Sequence, residues 1–182
     1  MGSSNSSSTP AGKEPTYISV DELASLVTAE PKRDDFLVID VRSSDFPGGN
    51  IPGALNLTTR EFGSEQKLNN VISTYIRPRV PPLRLLVLHC MRSQTRGPYA
   101  ASLLASSPAL PSGVQVRILK GGFQGWYRQF KGRREMFENL EGEEGQAGGG
   151  GRGWEEGVLA QEGSEREAED SRRLREQGAA RS

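Results

Sequence analysis

Three short apolar runs constrain this chain more than any other feature. "DFLVIDVR" (Asp35 to Arg42) is continuous and rich in Val, Ile and Leu, while the 83–88 stretch of "LRLLVLHC" reads as a second buried strand and "VQVRILKGG" from Val114 as a third, closed by two glycines. Runs of that length without alternation are the pattern of strands buried on both faces. Such strands need helices on either side, and helical patterns are what lie between them. In "TYISVDELASLV" a short extended piece precedes Ser19 and Glu22, which have the spacing of a capping box, while Val20, Leu23, Ala24 and Val27 share one helical face. Over residues 64–76, Leu68, Val71, Ile72 and Tyr75 fall at helical spacing until "RPRVPP" stops the helix. Pro98 sits in the first turn of a helix through Leu104, where its missing N–H costs nothing, and "FQGWYRQF" makes a short amphipathic helix. The Gly- and Pro-rich "SSDFPGGNIPGALNL" is a loop ending in a short strand at residues 54–57. The alternation implies a three-layer α/β domain whose mainly parallel sheet has about five strands, with "DFLVIDVR" a central one.

Composition limits how much of the chain joins that domain. Of 182 residues 34% are hydrophobic and 22 are glycine, so part of the chain cannot pack. Residues 1–14 read as a flexible leader and 15–137 as the domain. Residues 138–182, with "EGEEGQAGGGGRGWEEG" and "EGSEREAEDSRRLREQ", read as a low-complexity, mostly disordered tail in which Trp154 is the one residue suited to docking. Net charge is zero, which argues against a nucleic-acid partner, but residues 15–137 hold 16 basic and 10 acidic residues, an excess that attracts anions. The single cysteine excludes an internal disulfide and a multi-cysteine metal site, and it fits a reducing compartment. No apolar run approaches the roughly 20 residues of a membrane span, so the expectation is a cytoplasmic or nuclear protein without stable membrane insertion. Gly2 and Ser6 in "MGSSNS" match a short N-myristoylation pattern, though one acyl chain anchors only marginally.

The site candidate is "HCMRSQTRGP", residues 89–98. Cys90 follows a buried strand, at the edge where open parallel sheets bind ligands. If residues 91–96 wrap back above it, the backbone N–H groups of Met91, Arg92, Ser93, Gln94, Thr95 and Arg96 converge on one point, and the helix beginning near Gly97 adds its positive end. Arg96 offers two parallel donors to a tetrahedral oxyanion, a geometry lysine does not match. A loop that attracts phosphate also favours the charged form of a sulfur placed beneath it, and the thiolate is the nucleophile. In-line attack on phosphorus and a thiophosphate intermediate follow from that arrangement. The alternative reading makes Cys90 a small buried hydrophobe. Asp40, at the end of a buried strand, and Asp45, in the next loop, are the candidate carboxylates for proton transfer; Asp40 and Arg42 could equally order the loops by pairing. His89 has a reading as a general base and another as a support that orients backbone beneath the loop. Arg92 reads as a solvated charge that draws anions, and "GGF" with Trp126 as core.

"HCMRSQTRGP" resembles the His-Cys, five residues, Arg-Gly-Pro loop of the M-phase inducer dual-specificity phosphatases and of the related eukaryotic arsenate reductases, members of the rhodanese fold. "VIDVRSSDFPGGNIPGALNL" and "VRILKGGFQGW" are similar to two further segments of that fold, so the likeness spans Tyr17 to Phe130. It implies a five-stranded parallel sheet flanked by helices, with Cys90 as nucleophile, Arg96 as oxyanion ligand and the amides of Met91 to Arg96 as cradle. Sulfurtransferases of this fold usually have a loop one residue shorter, which disfavours sulfur transfer here. Two departures stand out. Met91 occupies the place of a glutamate in the inducer phosphatases, and Asn50 that of the histidine in their "GGHI" loop, so no protonated carboxyl for the leaving group is visible.

Three functions follow. The first is a cysteine-dependent phosphatase of protein-tyrosine or dual-specificity type. The second is an arsenate reductase that needs no bound cofactor but an external thiol such as glutathione or glutaredoxin, because the chain supplies no second cysteine. The third is a module that binds phosphate or a phosphoprotein without turnover.

Overall fold

The computed structural model describes residues 14–140. The leader before Glu14, with Gly2 and Ser6, and the stretch 141–182, with Trp154, lie outside the described residues. The chain divides into two units after Asn139, and apart from Leu140 the described residues belong to the first.

The described residues form five strands and four α-helices, alternating except where two strands follow one another. They are β1 (Thr16–Ile18), α1 (Val20–Val27), β2 (Phe36–Asp40), β3 (Leu55–Asn56), α2 (Glu65–Val71), β4 (Leu85–His89), α3 (Arg96–Ser106), β5 (Gln115–Leu119) and α4 (Gly122–Phe130). The strands form one sheet in the order β1-β5-β4-β2-β3, and every pairing is parallel. The run expected to be central, now β2, is interior, but the middle place belongs to β4 because the short β3 closes the far edge beyond β2.

Alternation of side chains across the pleat sorts the core into two layers. Leu37, Ile39, Leu86, Leu88, Val116 and Ile118 join Leu68, Val71, Ala100 and Leu104 of α2 and α3 in one buried cluster. Val38, Asp40, Val87 and His89 alternate onto the other face, where the His89 ring stacks 6.4 Å from Phe123 of α4. The register pairs Asp40 with His89, so the alternation that fills the core also sets two polar side chains side by side at the carboxyl edge of the sheet.

Helix boundaries follow from local chemistry. The Ser19 hydroxyl accepts the Glu22 N–H at 3.1 Å and the Glu22 carboxylate accepts the Ser19 N–H at 2.8 Å, the reciprocal cap expected of that spacing. The helix expected over 64–76 is α-helical only through Val71. Its last stretch, Ile72–Ile76, widens to π geometry, in which the Arg77 N–H reaches Ile72 O at 2.9 Å and Ile76 is buried with Tyr75 at the margin. The folded body also runs two residues past the expected end at 137. Asn50 and Glu138 exchange backbone hydrogen bonds at 2.8 and 2.9 Å, the Glu138 carboxylate accepts the Gly53 N–H at 3.0 Å, and Asn139 donates to the Asn50 side chain. Low-complexity composition beyond Leu140 hid this staple, which depends on single side chains and not on periodicity. Among the described residues no helix is long and apolar enough to cross a membrane.

Ser19→Ala removes one half of the α1 cap. It should lower unfolding stability by about 1 kcal/mol, read as a shift of the urea midpoint at unchanged slope.

Candidate active site

The loop after β4 holds the chemistry, and α4 fixes how it faces. The N–H groups of Phe123 and Gln124 donate to the carbonyls of Cys90 and Met91 at 2.9 and 2.8 Å. The first amides of a helix otherwise lack partners, so α4 and the loop satisfy each other. Because a peptide plane holds its carbonyl and its N–H on opposite sides, carbonyls turned to α4 turn the following amides away from it. Ser93 then takes the left-handed conformation, φ 55°, which curls the loop into a concave run of amides. Among the described residues, the backbone N–H groups of Met91, Ser93 and Gln94 have no acceptor within the protein. Met91 and Ser93 are buried, where such donors are costly unless something else accepts from them.

Two glycines let helices clamp this loop. A Cβ on Gly122 would stand 2.4 Å from Cys90 O, 2.6 Å from Met91 O and 2.8 Å from the Arg92 nitrogen, and its φ of 58° also suits glycine. Gly97, in the first turn of α3, leaves 3.3 Å between such a Cβ and the Cys90 nitrogen. Cys90 itself is 5% exposed, at the base of the loop.

Beneath the loop lies a buried polar layer. Arg42, fully buried, pairs with Asp40 at 2.7 Å; its Nε donates to both Asp40 oxygens, its backbone N–H to one of them, and its Nη2 to Gly49 O at 2.7 Å. The guanidinium lies 3.9 Å over the Phe123 ring, so part of its desolvation is offset by the aromatic face. His89 sets Nδ1 3.2 Å from Cys90 O, the geometry of a neutral ring donating through Nδ1, with Nε2 3.8 Å from an Asp40 oxygen. Burial holds its imidazole below the ordinary value; Arg42 pushes the same way, and Asp40 and the Cys90 carbonyl pull against them. A buried neutral imidazole with its Nδ1 on Cys90 O is placed to orient backbone, not to shuttle protons with solvent.

Arg96, the first residue of α3, is gripped by a carboxylate. Its Nη1 and Nη2 reach the two Asp45 oxygens at 2.7 and 2.5 Å, and Asp45 also accepts the Ser43 N–H at 3.0 Å. Burial pushes the Asp45 carboxyl up, but hydrogen bonds from Arg96 and the Ser43 backbone, with the Arg96 charge, outweigh it and hold the group below the usual carboxylate range.

The structure thus brings Cys90, Met91, Ser93, Arg96, His89, Asp40 and Asp45 to one edge of the sheet, with Arg92 half-buried and Gln94 and Thr95 exposed on the same loop. The two carboxylates expected as proton donors need correction. Asp40 is locked to Arg42, and Asp45, held low by Arg96, carries no proton to give near neutral pH. The sequence reading missed Gly122 as the contact for the loop and Asp45 as the partner of Arg96. The paired glycines of "KGGF" were the available signal for the first; a contact across 51 positions left none for the second.

An open parallel sheet with an amide-lined, cysteine-headed loop at its carboxyl edge defines the class. The rhodanese-like domain model matches residues 19–129, and the chain belongs to that family. It is 28% identical over 143 residues to the dual specificity phosphatase ibp1 of Schizosaccharomyces pombe, covering 68% of this chain and 96% of that one. It is 28% identical over 118 residues to arsenical-resistance protein 2 of Saccharomyces cerevisiae, covering 61% and 87%. The solved As-Sb reductase of Leishmania major superposes with a TM-score of 0.56 at 28% identity, over 66% of this chain and 81% of that one. The chain therefore sits among phosphatase and arsenate reductase homologues of the rhodanese family.

Two outcomes follow from the geometry. Gly122→Ala should cost about 2 kcal/mol or more of stability and expose Cys90 to alkylation, because the loop must move off α4. Second, the unfolded chain takes a proton at its one histidine near pH 6.5 and the folded chain does not. Stability should therefore be full above about pH 6.5 and decline as pH falls below it. Urea titrations from pH 7.5 to 5 should show that slope, and His89→Gln should flatten it, since Asp45 contributes only in the acid range near and below its ordinary 3.8.

Proposed function

We propose that this protein is a cysteine-dependent phosphatase of protein-tyrosine or dual-specificity type. One observation supports the reading: the α4 amides hold the loop carbonyls of Cys90 and Met91, which turns the following loop amides away from α4. With five residues between Cys90 and Arg96, the ring suits a tetrahedral oxyanion and not the shorter loop usual for sulfur transfer.

In this mechanism the Cys90 thiolate attacks phosphorus of a bound monoester while the amides of Met91 to Arg96 and the Arg96 guanidinium take the equatorial oxygens. The P–O bond to the leaving group breaks opposite the new S–P bond. Asp40 is engaged by Arg42 and Asp45 is held below the usual carboxylate range by Arg96, so the monoanionic ester supplies its own P–OH proton to the departing oxygen. Water then cleaves the S–P bond, releasing dihydrogen phosphate and returning the thiolate. A leaving group that takes the ester's own proton departs as the neutral alcohol or phenol, so its acidity has little influence on the step.

Arsenate reduction is the second reading, supported by Cys90 being the sole thiol. The same attack forms an S–As(V) bond on Cys90 as one As–O bond breaks and that oxygen leaves as water. Two external thiols such as glutathione then supply two electrons, leave as a disulfide, and release arsenite with Cys90 restored.

Offering the purified full chain an aryl phosphate, arsenate with glutathione, and thiosulfate with cyanide separates these activities. Phosphate release should be lost with Cys90→Ser and fall about 100-fold or more with Arg96→Ala. Rates across substituted phenyl phosphates should depend only weakly on the acidity of the phenol; a steep dependence would mean that the phenol leaves as its anion, without the ester's proton. Arsenite as the main product favours the second reading, thiocyanate overturns both, and oxyanion binding without turnover leaves a phosphate-binding module.

A further inference from the structure

Residues 91–96 contain no carboxylate, yet Arg96 within that stretch is held by one. We propose that Asp45 is the positioning residue of the oxyanion site: from the loop after β2 it grips the Arg96 guanidinium through Nη1 and Nη2 and so fixes the plane in which that guanidinium meets a tetrahedral oxyanion at the cysteine loop. This deepens the oxyanion-loop reading and rests on it.

The grip is built to hold. Asp45 uses both carboxylate oxygens on Arg96, and one of them also accepts the Ser43 N–H at 3.0 Å. Its carbonyl accepts from Arg42 Nη1 at 3.2 Å, which ties its backbone to the buried pair of Arg42 with Asp40. The Asp45 side chain is 5% exposed and the Arg96 side chain 25% exposed, so the fixed partner is the carboxylate and the reaching partner is the arginine. Guanidinium carries five N–H donors in one plane. Two make the pair with Asp45, and fixing that plane at folding removes rotamer freedom that would otherwise be lost when substrate binds. A carboxylate this near an incoming anion also carries a repulsive cost. The competing idea is therefore a latch, in which Asp45 occupies the donors that substrate needs, and it predicts the opposite sign.

Tungstate, a tetrahedral dianion, reads the difference without turnover. Its binding to the full chain is measured by calorimetry and by protection of Cys90 from iodoacetamide. Asp45→Ala should weaken tungstate binding about ten- to a hundredfold, the loss expected of charge-assisted bonds. Asp45→Glu should recover part of that loss and Asp45→Asn little of it. In an Arg96→Ala background Asp45→Ala should change nothing further, because Asp45 acts through the guanidinium. Thermal unfolding checks each variant, and if Asp45→Ala does not fold, Asp45→Asn carries the comparison. Tighter binding by Asp45→Ala or Asp45→Asn overturns positioning in favour of the latch. An equal loss with and without Arg96 overturns it in favour of a scaffold role. If wild-type protein binds no tungstate, this proposal and the oxyanion reading fall together. Binding without phosphate release removes only the phosphatase reading.

Discussion

Two hydrogen bonds, from the backbone N–H groups of Phe123 and Gln124 to the carbonyls of Cys90 and Met91, decide which way the loop after β4 faces. Their energy is modest, about 1 kcal/mol each net, but their geometric effect is large because a peptide unit cannot turn its carbonyl without turning its amide. Much else serves this contact. Gly122 has no Cβ because the approach leaves no room, and Gly121 before it takes a left-handed conformation to start α4 there. The parallel pairing of β4 with β5 brings the start of α4 to the end of β4 in the first place. A single-residue change in that register would move the amides off the carbonyls and leave the loop without a preferred face.

Below the loop, Asp40, Arg42 and His89 are fully buried, an expensive arrangement for a domain of this size. Replacing a buried ion pair by apolar groups is often neutral or stabilising, so stability alone does not explain the layer. Its connections do. Arg42 ties Asp40 to the carbonyls of Asp45 and Gly49, and His89 touches the Cys90 carbonyl, so one polar cluster sets the loop after β2 and the base of the cysteine loop. Both loops leave neighbouring strands, and the layer fixes them relative to one another where backbone pairing has ended.

Those features differ in how far the sequence foretells them. The buried strands and the capping box of α1 are local or periodic, and "FLVID", "LLVLH" and "SVDE" declare them without reference to distant residues, whereas the order of the strands across the sheet is not local. The cysteine loop was legible because its parts are adjacent: strand, His89, Cys90, Arg96, Gly97 and Pro98 occupy one stretch of sequence. The partner of Arg96 was not. Asp45 lies 51 positions away and Asp40 five residues before it, and two aspartates near one strand end look alike until the pleat sends one inward to Arg42 and the loop carries the other to Arg96. The staple of Glu138 on Asn50 was hidden for a similar reason, its two sides separated by 88 residues.

The two arginine–carboxylate pairs share one chemistry and differ in burial, and burial assigns their work. Arg42 has no exposed surface, so every donor it uses is spent on protein and its charge is balanced within the fold. Arg96 keeps a quarter of its side chain exposed, with Nη1 and Nη2 on the Asp45 carboxylate. Lysine at position 96 would keep the charge but not the plane, since an ammonium cannot hold a carboxylate on one edge while aiming another at a second anion. The distance from Asp45 to the buried pair is a single hydrogen bond, from Arg42 Nη1 to Asp45 O. Order established by desolvation in the core thus reaches Arg96 through one loop residue, Asp45.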